Sequence, residues 1–490
     1  MLVHLRVHFF DSSHDRLQSR VESMATPIAS CSGCQALLAE NARLRKTIAD
    51  LQAEVAKLRS ELDEMRRQQH RQAAPFRRKE CKAKPKSPGR PKGHAPALRP
   101  MPTPGQIDRI IDVPCDECPE CHMPLYDLNT VVQYQTDLPP ITPIVTQFNI
   151  QAGRCPCCRE MRQGRHPEQI SDAVGSAGNT FGPVILTLAA ELKHRLGVPY
   201  RKICDFFSTY CDLEICPATF VRAEQRLAEL AQPTFELLID ALRRAHVVHA
   251  DETGWRINAV NGWLWVFSSK EVTVYVIRTG VGSRGHGVPA DILGPDFDGY
   301  LIVDGFAAYD VLDYAKGRCN AHLLRRCKEL KDTVPAKEQK YLDLLRALLL
   351  EAIDLAARRE ELKPDGYTRR VEEIENRLDT WLDDLPRNVS PELDRLDNHI
   401  RAHRGEWLVF LHDPEVPPTN NHAEQMLRPA VISRKIGGCN KTLRGALVHS
   451  MLASLMVTCK RMGRSFLSLA RQLWQTGVAR PIDLSALPAA

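Results

Sequence analysis

The sequence predicts a multidomain α/β protein. Its core is a strand-rich sheet interrupted by a helical insertion, preceded by a coiled coil, a small cysteine-rich module and a helical region. Three observations predict this. A heptad repeat runs from Leu37 to Met65, two CxxC pairs stand at 118/121 and 155/158, and from residue 245 the apolar period drops to two, with acids closing two of the strands.

The 490 residues suffice for several domains, and 43% hydrophobic content supports real cores. No apolar run reaches the eighteen or so residues a membrane span needs. The N-terminal "MLVHLRVHFFDSSHDRLQSR" is broken by His and Arg and lacks a signal-peptide apolar region. Patterned sequence begins only after Met24, an alternative start. Sixteen cysteines in so long a chain point to a reducing cytoplasm with some thiols gathered for metal, not to a secreted disulfide scaffold.

In the heptad, Leu37, Leu44, Leu51, Leu58 and Met65 occupy d, and Asn41, Ile48, Val55 and Leu62 occupy a. β-Branched a with Leu d favours a parallel dimer, and a single Asn at a fixes register. A single amphipathic helix packed on its own chain is the competing reading. Cys31 and Cys34, one CxxC alone, read as plain thiols.

The next segment is basic. Residues 66–99 hold twelve Lys or Arg against Glu80 alone, a local +11 within a whole-chain net charge of +6. Such a Pro- and Lys-rich stretch does not fold by itself. Its charge density suits DNA phosphates, with Arg77, Arg78, Lys79, Arg90 and Lys92 as candidate contacts. "GRPKGH" resembles a minor-groove hook.

Cys118, Cys121, Cys155 and Cys158 have the paired spacing of a tetrahedral thiolate site, and structural Zn²⁺ is the expected ion. Cys115 or Cys157 could replace a neighbour. The intervening "VVQYQTDLPPITPIVTQFNIQAGR" reads as two strands of a zinc ribbon-like module. Three helical pieces follow between 182 and 230. The third opens on Pro217 and shows Thr219, Arg222, Gln225 and Arg226, which fits a helix-turn-helix with Arg222 and Arg226 toward DNA. A plain helical bundle fits nearly as well.

"AHVVHAD" then reads as a strand ending on Asp251, "GWLWVFSS" and "VTVYVIRT" as a hairpin, "GYLIVD" as a fourth strand ending on Asp304, and "GRCNAH" as a short fifth. Three antiparallel strands followed by one that carries an acid is the order of an RNase H-like core. There the first and fourth strands are neighbours, so Asp251 and Asp304 would face each other. Paired carboxylates repel unless a cation lies between them, and Mg²⁺ or Mn²⁺ prefers such oxygens. A two-ion site is expected. Strand parity places Glu252 on the opposite face, so Glu252→Gln is expected to keep most activity. "PPTNNHAEQMLRPAVISRK" supplies a third acid, Glu424, in the first turn of a helix, with Arg428, Arg434 and Lys435 as phosphate contacts. The 119 residues between Asp304 and Glu424 are mainly helical and too long for a loop.

The expected boundaries are an unstructured 1–30, a zipper over 31–70, a basic arm over 71–105, the zinc module over 106–170 and the helix-turn-helix-like region over 175–240. The core would occupy 245–322 and 416–476, split by the insertion at 323–415, with a C-terminal element at 477–490.

Together with the zipper, "GRPKGH" and the cysteine knuckles, the motifs "HADETGW", "LIVDGFAAYD", "CNAHLLRRC", "TNNHAEQMLRPAVISRK", "SMLASLMVTCKRMG" and terminal "LSALP" resemble the insertion sequence 66 family of bacterial transposases, of the Asp-Asp-Glu class. The resemblance covers roughly 31–490. It implies Asp251, Asp304 and Glu424 as a catalytic triad, with His322 in an Ala-His motif after the second acid. It further implies Mg²⁺-dependent cleavage and transfer of DNA strands, a homodimer or higher oligomer, possible accessory transposition proteins, no membrane association, and a cytoplasmic, nucleoid-associated location. Two alternatives belong to other classes: a zipper and zinc DNA-binding regulator with a degenerate nuclease fold, and a simple RNase H-like nuclease. A regulator has no use for three convergent carboxylates.

Overall fold

The computed structural model describes residues 99–385 and 390–490, together with positions 36, 39–48, 50, 51 and 54. The chain divides into two units, Met1–Met101 and Pro102–Ala490. In the first, the described positions are helical, and Leu44, Ile48 and Leu51 of the heptad stripe are each more than half exposed. Cys31, Cys34 and the basic-arm residues Arg77, Arg78, Lys79, Arg90 and Lys92 lie outside the described residues.

The second unit opens with the cysteine module. The two strands expected over 131–154 are absent from 131–151; Pro139, Pro140 and Pro143 interrupt that stretch and remove ladder donors. Instead β1 (Ala152–Arg154) and β2 (Met161–Gln163) form a short antiparallel hairpin around the second knuckle. An isolated bridge, Glu117 to Pro124, closes the first knuckle likewise. The module has little core of its own: Ile110, Tyr126, Val131, Ile144 and Val145 are all at least 82% exposed.

Three helices follow, α1 (Pro183–His194), α2 (Tyr200–Cys211) and α3 (Pro217–Arg243). Asp212 ends α2 in the left-handed conformation, and Pro217 opens α3 at its first turn. The short helix, turn and third helix match the sequence pattern, but α3 runs for 27 residues and buries Phe220, Leu227, Leu230, Ala231, Leu238 and Leu242. These residues share one apolar cluster with Val248, Ala250 and Trp265 of the sheet. The helical region is therefore continuous with the core.

The sheet has five strands in the order β5-β4-β3-β6-β7. They are β3 (Val247–Ile257), β4 (Val260–Ser268), β5 (Thr273–Thr279), β6 (Tyr300–Val303) and β7 (Ala315–Arg318). The first three are antiparallel; β6 joins β3 in parallel, and β7 joins β6 in parallel. A helix that periodicity missed, α4 (Gly287–Leu293), bridges β5 to β6. Helices α5 (Asn320–Lys331), α6 (Ala336–Ala357), α7 (Pro364–Asp384) and α8 (Pro391–Ala402) build the insertion around a separate apolar cluster, which reaches the sheet at Ile302.

Then α9 (Asn421–Gly437) crosses the face of β3 opposite α3, packing Ala423, Leu427 and Ala430 against Trp255, Leu264 and Val266. Next α10 (Leu443–Arg461) lies along the edge strand. Ser454 Oγ accepts the Tyr275 N–H at 2.8 Å and Thr458 Oγ1 the Thr273 N–H at 3.0 Å, so hydroxyls blunt that edge. Finally α11 (Phe466–Thr476) and the C-terminal turn bury Leu469, Leu473, Leu484 and Leu487 against the first cluster. Among the described residues, no helix is long and apolar enough to cross a membrane.

Candidate active site

Asp251 does not end its strand. β3 continues to Ile257 because β4 pairs it along its whole length, with Asp251 opposite Val266. What ends is the other neighbour. The β3–β6 ladder stops at His249 opposite Ile302, and β6 stops at Val303. Two residues beyond that last pair, on the same face, come Asp251 and Asp304. They flank the point where the sheet splits, and backbone partners are lost there on one side only.

The third acid arrives through a clasp. Asn420 begins α9 but makes no side-chain cap. Its Nδ2 donates to the Ala250 carbonyl at 2.7 Å, its Oδ1 meets His249 Nδ1 at 3.0 Å, and its backbone N–H donates to Cys319 Sγ at 3.1 Å. Asn320, fully buried, donates to the carbonyls of Trp407 and Pro418, each at 3.1 Å. The Ala250 and His249 contacts fasten the start of α9 to β3 one residue before Asp251, and those of Cys319 and Asn320 tie the approach to α9 to the start of α5. Glu424, in the first turn, is thereby brought over the split. His322 Nε2 stands 3.8 Å from Glu424 Oε1. The adjacent Cys319 side chain holds the His322 imidazole above its ordinary pKa, with Asp304 and Glu424 adding to that.

Burial, joined by the nearby charges of Glu252, Asp304 and Glu424, pushes the Asp251 carboxyl up to about 7. The carboxylates are neighbours, although among the described residues no three His, Cys, Asp or Glu side chains close into a ready-made metal cage. Crowded acids of this kind suit a divalent cation, which removes their repulsion. A stability effect follows. The folded-state pKa of Asp251 lies above the unfolded value of about 3.9, so its favourable contribution is complete below pH ~4 and is lost as pH rises through 7. In metal-free buffer at pH 8, Asp251→Asn is expected to raise Tm by roughly 2–5 °C, a gain that fades toward pH 4. Calorimetry giving equal Tm values at pH 8 would contradict the crowding.

The remaining candidates divide. Arg428 and Lys435 are exposed on α9. Arg434 is not free for phosphate: its Nη1 donates to Thr253 Oγ1 at 3.1 Å and to the Gly254 carbonyl, pinning α9 to β3. On α3, Arg222 and Arg226 are both exposed, and Arg226 also donates from Nη2 to the Gly477 carbonyl at 3.3 Å after α11.

The cysteine knuckles are built alike. Cys118 N–H donates to the Met123 carbonyl and His122 N–H to the Cys118 carbonyl; Cys155 with Glu160 and Arg159 repeats this, every bond at 2.9 Å. His122 and Arg159 take the left-handed conformation at φ 58° and 57°. Backbone N–H groups, first those of Cys121 and Cys158, lower the Cys118 and Cys155 thiols below their ordinary pKa. Each knuckle thus eases loss of the thiol proton, as zinc binding would require, and among the described residues the four thiols do not close into a single metal site.

With this geometry in place, the comparison with known families is decisive. A family described as Transposase IS66 family matches residues 178–447, more than half of the chain. The chain belongs to the IS66 family of transposases. The matched span runs from the start of the helical region into α10 and contains all three acids. The transposase is also similar to the uncharacterized protein y4jO of Sinorhizobium fredii, with 35% identity over 75 residues. That match covers 15% of this chain, which spans only about a quarter (23%) of the relative's length.

Proposed function

We propose that this transposase binds the ends of its insertion sequence, cleaves a strand there and transfers the freed 3′-hydroxyl to target DNA. The core in this reading is RNase H-like, and Asp251, Asp304 and Glu424 would hold two Mg²⁺ or Mn²⁺ ions. One observation carries the reading: the parallel β3–β6 register and the Asn420 clasp bring two strand acids and one helix acid to the same split in the sheet. When bound, the ions would supply activation of the attacking oxygen and neutralisation of the leaving one. The protein's own part is positional. In this reading β3 and the turn after β6 would present the two Asp side chains, α9 would present Glu424, and the exposed Arg428 and Lys435 would meet the DNA backbone.

The other modules serve DNA capture in this reading. Cys118, Cys121, Cys155 and Cys158 would hold one structural Zn²⁺ between the two matching knuckles. The heptad helix would pair two copies, the basic arm would track phosphates, and accessory transposition proteins and the nucleoid supply the setting. The direct test is incubation with a duplex carrying the element's own end plus flanking DNA, with Mg²⁺ and a target plasmid. Nicked ends together with joined products are expected. Nicks without joined products would reduce the reading to a nuclease, and end binding with neither product would reduce it to a binding protein.

A further inference from the structure

Glu252, next in sequence to Asp251, lies on the opposite face of β3, as strand parity requires, yet it is not idle. Its side chain is only 3% exposed. Oε1 accepts from Arg284 Nε at 3.1 Å and Nη2 at 2.9 Å, and Oε2 accepts from the Tyr309 hydroxyl at 3.0 Å. Tyr309 is fully buried, in the turn that follows Asp304. The Arg284 guanidinium lies between two rings, 4.1 Å from the centroid of Trp263 and 4.0 Å from that of Phe306. Phe306 in turn donates its N–H to Asp304 Oδ1 at 2.9 Å.

One carboxylate therefore grips the loop from 304 to 309 at two points, directly through Tyr309 and indirectly through Arg284 and Phe306. A buried carboxylate is costly to desolvate, and an apolar side chain of similar size would serve packing alone at least as well. We propose that Glu252 is a positioning residue for Asp304. Its two acceptor oxygens tie the Asp304 loop to the residue beside Asp251 and so set the separation of the two strand acids. The proposal rests on the reading of Asp251, Asp304 and Glu424 as a metal site.

The experiment compares Glu252→Gln and Tyr309→Phe with the full-length wild type, titrating Mn²⁺ both by calorimetry and in the end-cleavage assay, with the Mn²⁺ affinity expected to fall as the cleavage midpoint rises. Loss of a group that orients a metal ligand typically costs 10–100-fold in metal affinity. The Mn²⁺ concentration for half-maximal cleavage is expected to rise about tenfold in each variant, with much of the rate recovered at saturating Mn²⁺. The double variant is expected to be little worse than either single one, because both break one tether. Glu338→Gln is the structural control. Glu338 is buried in the insertion, where its Oε2 accepts from Ser390 Oγ at 2.6 Å. That variant is expected to lose thermal stability with unchanged Mn²⁺ dependence. Wild-type Mn²⁺ dependence in both Glu252→Gln and Tyr309→Phe overturns the proposal, as does a shift matched by Glu338→Gln. Failure of the underlying reading is separate: it would appear as Asp304→Asn cleaving like wild type.

Discussion

Asp251→Asn, Asp304→Asn and Glu424→Gln are each expected to lower strand cleavage and joining by at least ~10²–10³-fold while leaving binding to the element's ends near wild type. Each substitution keeps the shape of the side chain and removes one charged oxygen that the proposed ions would need. The phosphoryl transition state would then build negative charge with less to neutralise it. Binding is expected to survive because most of the proposed DNA contacts, in the basic arm, the cysteine module and α3, lie elsewhere in the chain. Gel-shift and cleavage assays on the same preparations separate the two effects. A variant that lost binding and cleavage in parallel would point to misfolding around the sheet split.

Cys121→Ser is expected to release zinc, unfold the module around 106–163 and weaken end binding at least ~10-fold, with the core's thermal transition unchanged. The module's exposed apolar residues and short β1–β2 hairpin give it little else to hold it together. The core transition is independent because α1 to α11 and the sheet carry their own apolar clusters. Stoichiometric zinc in the wild type, lost in the variant, is the expected metal analysis. Wild type purified with no zinc would overturn the assignment.

Much of this was legible in the sequence because the signals were local. Period-two alternation located β3, β4 and β5, and a proline at the first turn located α3. Strand and helix patterns also placed the three acids in order, since the β-strand period fixes which residues share a face. What sequence could not show were contacts between distant segments. Asn420 has the residue type of a helix cap, yet its amide is spent on Ala250, some 170 residues earlier in the chain. Glu252 was legible as facing away from Asp251, but not as the partner of Arg284 and Tyr309. Arg434 and Arg226 look like phosphate ligands in a basic sequence, and only packing reveals that each is tied to a backbone carbonyl. The strand end expected at Asp251 was misplaced for a related reason. The acid marks the end of pairing to β6, while pairing to β4 continues.

The central claim is that three acids from β3, the end of β6 and α9 hold divalent cations together. Calorimetric titration of Mn²⁺ into the full-length protein, compared with the Asp251→Asn, Asp304→Asn, Glu424→Gln triple variant, tests it most directly. Saturable binding by the wild type, with its heat abolished in a folded triple variant, is the predicted result. Equal Mn²⁺ binding by the two proteins would contradict it.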